Sequence, residues 1–459
     1  MVQLVIIIVY LLAMIGLGLA TRRQARDASG FFVAGKEGST LYITGSLLAT
    51  IIGASATIGM AGLGFSQGLT GSWWILVGAA GLVALGFLFA RKVRDYGFVT
   101  LPQLIEKQYD GKVALAGSIL IVVAWMGVIA GQIIAVGKIM AVLDVGTPTM
   151  WMYIATGVFV FYTVLGGQRA VLKTDLWQTI IIFVGIFTGL GYILYKVGGF
   201  SALTHSLPSG FFSFPLSPKF DFYQFAQLLL LVGLTYLVGP DMYSRLFSAK
   251  DGNVAKKSVF WTALLLIPIA LGITLIGMAA LVFYPNIVAE QAFPTVMKEL
   301  LPPVLAGLVM AALLSAVMSS AVTCLLSVST ILTVNILQKI RPNLQENDVL
   351  TISRVGIVIL GLIALGVALL LKGIVNSLMF AYTVYTAGLI PVLIAGFYKE
   401  KLKVTSWGAI VAVAGGGSTA LIAKINNIKY LDLGALGISL VLLFAVSAIQ
   451  NYARRRKVA

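Results

Sequence analysis

Long apolar runs alternate with short polar segments along almost the whole chain. Thirteen runs approach or exceed the roughly 20 residues needed to cross about 30 Å of hydrocarbon. They cover 2–20, 42–68, 72–90, 113–141, 149–166, 176–196, 224–246, 258–284, 303–338, 353–371, 376–398, 405–423 and 431–450. The pattern predicts an all-α polytopic membrane protein, because a helix satisfies its own backbone hydrogen bonds where lipid offers none. Runs well beyond 20 residues imply tilt or helix extending past the bilayer. The first run has no basic stretch before it and no clear small-residue cleavage site, so it reads as a retained helix rather than a signal peptide.

Two runs read as interrupted. The second carries Gly45, Gly53, Gly59, Gly62, Gly64 and Gly68, and the seventh carries Gly233, Gly239 and Pro240, which lacks the helical donor. They stand five spans apart, and broken helices at matching places in two halves point to an inverted-repeat carrier with its site at the breaks. Close helix packing on glycine is the simpler alternative.

The ninth run has no charged side chain, yet from Ala316 onward Ser319, Ser320, Thr323, Ser327 and Thr330 recur at offsets of three and four. That spacing puts the hydroxyls on one helix face, which should look onto protein or a wetted cavity. Ser319-Ser320 is the expected cation position, the competing reading being that both hydroxyls bond back to helical carbonyls. Ser327 and Thr330 are read as helix-packing hydroxyls.

Two polar segments stand out. Segment 197–222, with Pro208, Pro215 and Pro218, is too broken to span and should lie over the outer face. Segment 91–112 contains Thr100-Leu101-Pro102 followed by Glu106, the start of a short capped surface helix.

Composition agrees with the pattern. The chain is 59% hydrophobic and 10% charged, with mean hydropathy +1.00, against about 25% charged in a soluble domain. Its net charge of +16 does not point to nucleic acid, since the basic residues occupy short loops without a basic-aromatic patch. With the N-terminus outside and the C-terminus cytoplasmic, 25 of the 32 Lys and Arg fall on the inner side, Arg245 among them. That asymmetry is the positive-inside rule at work. One cysteine and one histidine exclude a disulfide framework and zinc, haem or iron–sulfur centres. No acid/base constellation appears within the spans, so an enzyme is not expected.

Four segments resemble the sodium:solute symporter family. They are Gly166-Gly167-Gln168-Arg169-Ala170-Val171 leading to Thr174-Asp175 and Gln178; Gly239-Pro240 with Arg245 to Lys250; Ala316 to Ser320; and Thr100 to Glu106. The resemblance implies a LeuT-type core of two inverted five-helix repeats within one transporter domain, 1–459. Repeat one would cover about 42–196 and repeat two about 224–398, with helix one and helices twelve and thirteen peripheral. It implies no cofactor and a sodium ion, the coupling ion, held by the carbonyls of Ala49, Ile52 and Ala316 and the hydroxyls of Ser319 and Ser320. In the family a residue matching Asp175 lies on the inner ion path or in a second sodium site. Ala321 and Val322 stand where that site needs hydroxyls, with Thr323 one step later, so one sodium is expected; for Asp175 itself, a surface salt bridge with Arg169 or Lys173 is the other reading.

The expected activity is sodium-coupled import of a small organic solute by alternating access. Candidate substrate liners are Ser55, Thr57, Gln132, Thr235, Tyr236, Tyr382 and Thr386, none of them charged. The sugar-binding carboxylate and amide of sugar-transporting members are absent, Ser55 and Ala56 standing there. Free amides at the start of a half-helix could take a carboxylate, so an organic acid or amino acid is favoured over a sugar. The alternatives are a proton-coupled carrier using Asp175 and a transporter-like membrane sensor, against which counts the lack of a signalling domain after Lys457.

Overall fold

The computed structural model describes residues 2–21, 27–371, 373–426, 428 and 430–458. Arg22, Arg23, Arg26, Lys372 and Lys429, part of the charge asymmetry above, lie outside the described residues.

The chain folds as a bundle of long apolar helices joined by short connections. In order they are α1 (Val2–Thr21), α2 (40–67, in pieces), α3 (Trp73–Leu88), α4 (Gly111–Val142), α5 (148–166), α6 (168–197) and α7 (Phe222–Ser248, in pieces). There follow α8 (Gly252–Phe283), α9 (Pro303–Ile340), α10 (Glu346–Leu370), α11 (Ile374–Phe397), α12 (Ser406–Ile425) and α13 (Leu431–Val458). Among the described residues, ten continuous stretches are long and apolar enough to cross a membrane, with two shorter apolar helices, Val2–Met14 and Thr40–Ile51. The count is lower than thirteen because two pairs of neighbours run together and the first run counts here only as the shorter Val2–Met14. Ser55–Leu88 joins the second half of α2 to α3, and Pro148–Val197 joins α5 to α6.

Gly167 divides α5 from α6. It holds φ at +56°, the left-handed region, and a Cβ there would stand 3.0 Å from the Phe31 backbone. Only glycine tolerates both the angle and the approach. Elsewhere the ends are capped as their residues dictate: Asp110 accepts from the Lys112 and Val113 amides, and Asp251 from those of Asn253 and Val254.

α9 is the axis of the bundle, with 94% of its most apolar window buried, and it packs on α1, α4 and the α5–α6 pair. Small residues set how close the helices come. A Cβ added at Gly185 of α6 would reach within 2.6 Å of the Ala312 Cβ on α9. α12 and α13 pack on each other and against α11.

Both polar segments are ordered by contacts to the bundle. Segment 197–222 folds back over the α2–α3 turn, where Phe211 accepts from the Leu69 amide at 2.7 Å and Pro215 from Trp73 Nε1 at 2.8 Å. The short helix Leu101–Gln108 is capped by Gln103, which accepts from the Val99 amide at 2.8 Å. Glu106 instead pairs with Lys339 at 2.7 Å, and Leu101, Leu104 and Ile105 are buried, so this helix is docked rather than simply lying on the surface.

Candidate functional site

Both expected breaks are present. The first piece of α2 ends at Ile51, and Ile52 leaves the helix with φ −80° and ψ 62°. A wide π-type turn over Ser55–Gly59 follows before helix resumes at Met60, a form frequent at functional positions. In α7 a π-type turn covers Leu229–Gly233, and the helix breaks at Gly239, extended at φ −65° and ψ 138°, to restart at Pro240.

The hydroxyl pair of α9 lies against the end of the first α2 piece. Ser319 Oγ is 2.7 Å from the Ala49 carbonyl oxygen and 3.0 Å from that of Ala316. Ser320 Oγ is 2.7 Å from the Thr50 carbonyl, 3.1 Å from Ala316 and 3.4 Å from Ala49. Two hydroxyl hydrogens thus face three carbonyl oxygens, each with two lone pairs. Oxygen acceptors exceed donors, and the helices present a neutral nest of the hard ligands an alkali cation prefers. Ala49, Ala316, Ser319 and Ser320 are brought together; Ile52 is placed at the break itself. The Thr50 carbonyl is an acceptor in this cluster that the sequence reading missed, because every residue offers a carbonyl and only helix geometry decides which are presented. A Cβ at Gly53 would stand 2.9 Å from the Ser320 Cβ and 3.0 Å from Gln132 Oε1, so the close approach depends on that glycine.

One turn further along the same two helices lies a second, charged cluster. Asp175 is 1% exposed and pairs with Arg245, which is fully buried, at 3.5 Å. Ser46 of α2 donates to the Asp175 carboxylate and accepts from Arg245 Nε. The Arg245 Nη2 group also donates to Thr323 of α9, and Nη1 to Ser244. Two expectations are corrected here. Asp175 has no surface role with Arg169 or Lys173, since α6 turns its side chain into the bundle, and Arg245 is an interior residue instead of a loop cation. Ser327, 3.4 Å from the Ser244 hydroxyl, borders this cluster, whereas Thr330 bonds only to its own helix at Leu326.

Above the hydroxyl pair, the two breaks enclose a small cavity of about 20 Å³, room for roughly one water. Ser55, Gln132, Thr235, Tyr236 and Tyr382 line it, together with Ser320, Trp125, Cys324 and Asp241. Two proposed liners are elsewhere. Thr57 bonds back to the Gly53 and Ala54 carbonyls, and Thr386 lies 3.0 Å from the Thr235 hydroxyl and 3.1 Å from the Leu231 carbonyl. Both hydroxyls are taken by backbone that the helices leave within reach.

The expectation of an uncharged cavity is also corrected, because Asp241 is on its wall. It lies in the first turn after the Gly239 break, and a carboxylate inside an apolar span immediately after a broken Gly-Pro was a signal available in the sequence. Three of the half-helix amides that could meet a substrate carboxylate already have acceptors. Gln132 Oε1 accepts from the Ala54 amide at 2.8 Å, and the Asp241 carboxylate lies on the amides of Asp241 and Met242.

Apolar helices packed around two broken ones, with oxygens and one carboxylate gathered at the breaks, make a membrane carrier. Comparison with known proteins narrows the class. Residues 31–416 match the sodium:solute symporter family, and the chain belongs to it. Membership places the protein among transporters rather than enzymes.

Among curated relatives, a sodium/glucose cotransporter of Vibrio parahaemolyticus is 25% identical, covering 92% of this chain and 85% of its own length. Sodium/glucose cotransporter 4 of Danio rerio is 25% identical over 78% of this chain, and sodium/glucose cotransporter 1 of Oryctolagus cuniculus 27% over 76%. The match spans only 61% and 60% of those two relatives. Of solved structures, a Na+-coupled sialic acid symporter in a substrate-bound outward-open state aligns with TM-score 0.82 at 15% identity, covering 98% of both chains. A nucleobase-cation-symport-1 family transporter aligns with TM-score 0.63 at 13% identity, over 92% of this chain and 94% of its own. At these identities the likeness is one of fold, the LeuT type.

Proposed function

We propose that the protein is a sodium-coupled secondary symporter that imports a small organic solute by alternating access. The observation that carries this reading is the nest formed by Ser319 and Ser320 against the carbonyls of Ala49, Thr50 and Ala316. Neutral oxygens bind sodium without a fixed countercharge, so the ion can leave in every cycle. Seating it turns the hydroxyl hydrogens outward and spreads the oxygens, which couples ion loading to the α2–α9 contact. Ile52, at the break, completes the proposed ligand set.

Stoichiometry of one sodium follows from the second cluster. Asp175 and Thr323, the groups a second ion would use, are already engaged by Arg245. A tethered guanidinium there repels a further cation and fills its place. The same pairing disfavours Asp175 as a proton carrier. The repeats are assigned to about 42–196 and 224–398, with α1, α12 and α13 outside them. The N-terminus is assigned to the outside and the C-terminus to the cytoplasm. Inward movement of one charge is then worth about 2.3 kcal/mol per 100 mV.

The test is transport in proteoliposomes. Uptake of a labelled solute from a panel of amino acids, organic acids and sugars should be driven by an inward sodium gradient and accelerated by a negative interior. Uptake that follows a proton gradient equally well in sodium-free buffer would overturn the reading.

A further inference from the structure

We propose that the transported solute carries a cationic nitrogen, an amine or quaternary ammonium, received by Asp241 between the rings of Trp125, Tyr236 and Tyr382 when the small cavity at the breaks opens during the transport cycle. This rests on the carrier reading above.

Asp241 lines the central cavity and makes no ion pair within 4 Å among the described residues. Arg245 lies one turn along the same helix, but its donors are directed to Ser46, Ser244, Asp175 and Thr323. The carboxylate is steadied by the amides at the start of its half-helix, but amide dipoles do not neutralise a full charge within the membrane. Such a group calls for a cationic partner. The cavity walls suit one. Trp125, Tyr236 and Tyr382 all line it, and aromatic faces attract ammonium groups, most strongly when desolvated. Trp125 Nε1, buried beside the Cys324 thiol, adds a polar edge.

The other substrate classes fit less well. An organic anion would meet no Lys, Arg or His among the lining residues and would face Asp241 directly. The Ala54 amide at one break and the Asp241 and Met242 amides at the other already have acceptors, Gln132 and Asp241. A sugar could donate hydroxyls to Asp241, but it would leave Arg245 as the one positive charge shared by Asp175 and Asp241. Ser320 also lines this cavity, so sodium and substrate would bind side by side.

The experiment is a thermal-shift titration of the purified full-length protein in sodium or potassium buffer. The probes are L-proline, glycine betaine, choline, D-glucose and pyruvate, tested on wild type, Asp241→Asn and Asp241→Glu. At least one of the three amine-bearing probes should raise the wild-type Tm in sodium. Asp241→Asn should weaken that probe at least tenfold, and Asp241→Glu should restore part of the loss, while stabilisation by sodium alone persists in both variants. The proposal is overturned if glucose or pyruvate stabilises and no amine does, if an amine acts equally on wild type and Asp241→Asn, or if sodium stabilises and none of the five probes does. A wild-type protein stabilised by an amine but indifferent to sodium would leave the amine assignment standing and remove the sodium-coupled reading instead.

Discussion

The α2–α9 contact holds two polar clusters a single helical turn apart, and they treat positive charge in opposite ways. At Ala49, Thr50, Ser319 and Ser320, the groups are neutral oxygens with no carboxylate among them. At Ser46 and Thr323 the groups close on a covalently tethered cation, Arg245, and its carboxylate, Asp175. A cation that must depart each cycle is best held by dipoles alone, since a full countercharge in low dielectric would retain it. A cation that must never depart can be buried only with its own countercharge and a full set of hydrogen bonds. On the proposed reading one helix pair carries a releasable site beside a permanent one, and the permanent one locks α2, α6, α7 and α9 together.

The largest effect should come from breaking the permanent cluster. Arg245→Ala leaves Asp175 buried without its counter-ion and should cost about 3–5 kcal/mol, read as a large fall in Tm in detergent. Removing both charges together, as Asp175→Asn with Arg245→Gln, should recover most of that loss. A double variant as unstable as Arg245→Ala would show that the pair is not what holds these four helices.

A smaller effect is expected at the releasable site. The Cβ of Gly53→Ala would press on Ser320 and Gln132, an overpacking worth about 1–3 kcal/mol. Because the strain falls on Ser320, the sodium concentration for half-maximal stabilisation should rise about tenfold, while the Arg245 cluster stays intact. Unchanged sodium dependence in a well-folded Gly53→Ala protein would mean that the α2 break and the hydroxyl pair are not coupled.

This contrast was only half legible in the sequence. Hydroxyls at offsets of three and four from Ala316 mark a helix face, and Gly-Pro at 239–240 marks a break, because periodicity and a missing donor are local properties. The hydroxyl face could therefore be located, while its partner at Ala49 and Ile52 came from the family resemblance; Ser319 and Ser320 do lie against the end of the first α2 piece. The charged cluster could not. Arg245 is near a run of basic loop residues, and nothing local distinguishes an arginine turned inward from one snorkelling to the cytoplasm. Asp175 was equally ambiguous beside Arg169 and Lys173. Pairing between α6 and α7 is a long-range fact, fixed by how the bundle closes. Thr57 and Thr386 failed as liners for a related reason. Helical hydroxyls find nearby carbonyls first, and the sequence does not show which of them a break leaves open.

The central claim is that the neutral nest is the sodium site, and its most direct test is ion-specific stabilisation of the purified protein. Wild type titrated with NaCl at constant ionic strength, with KCl making up the balance, should show a saturable rise in Tm, since a ligand bound to the native state stabilises it by mass action. Ser319→Ala combined with Ser320→Ala should abolish that rise or move its midpoint more than tenfold, with the Tm in KCl lowered only modestly. A sodium-specific rise of equal size and midpoint in the double variant would contradict the account.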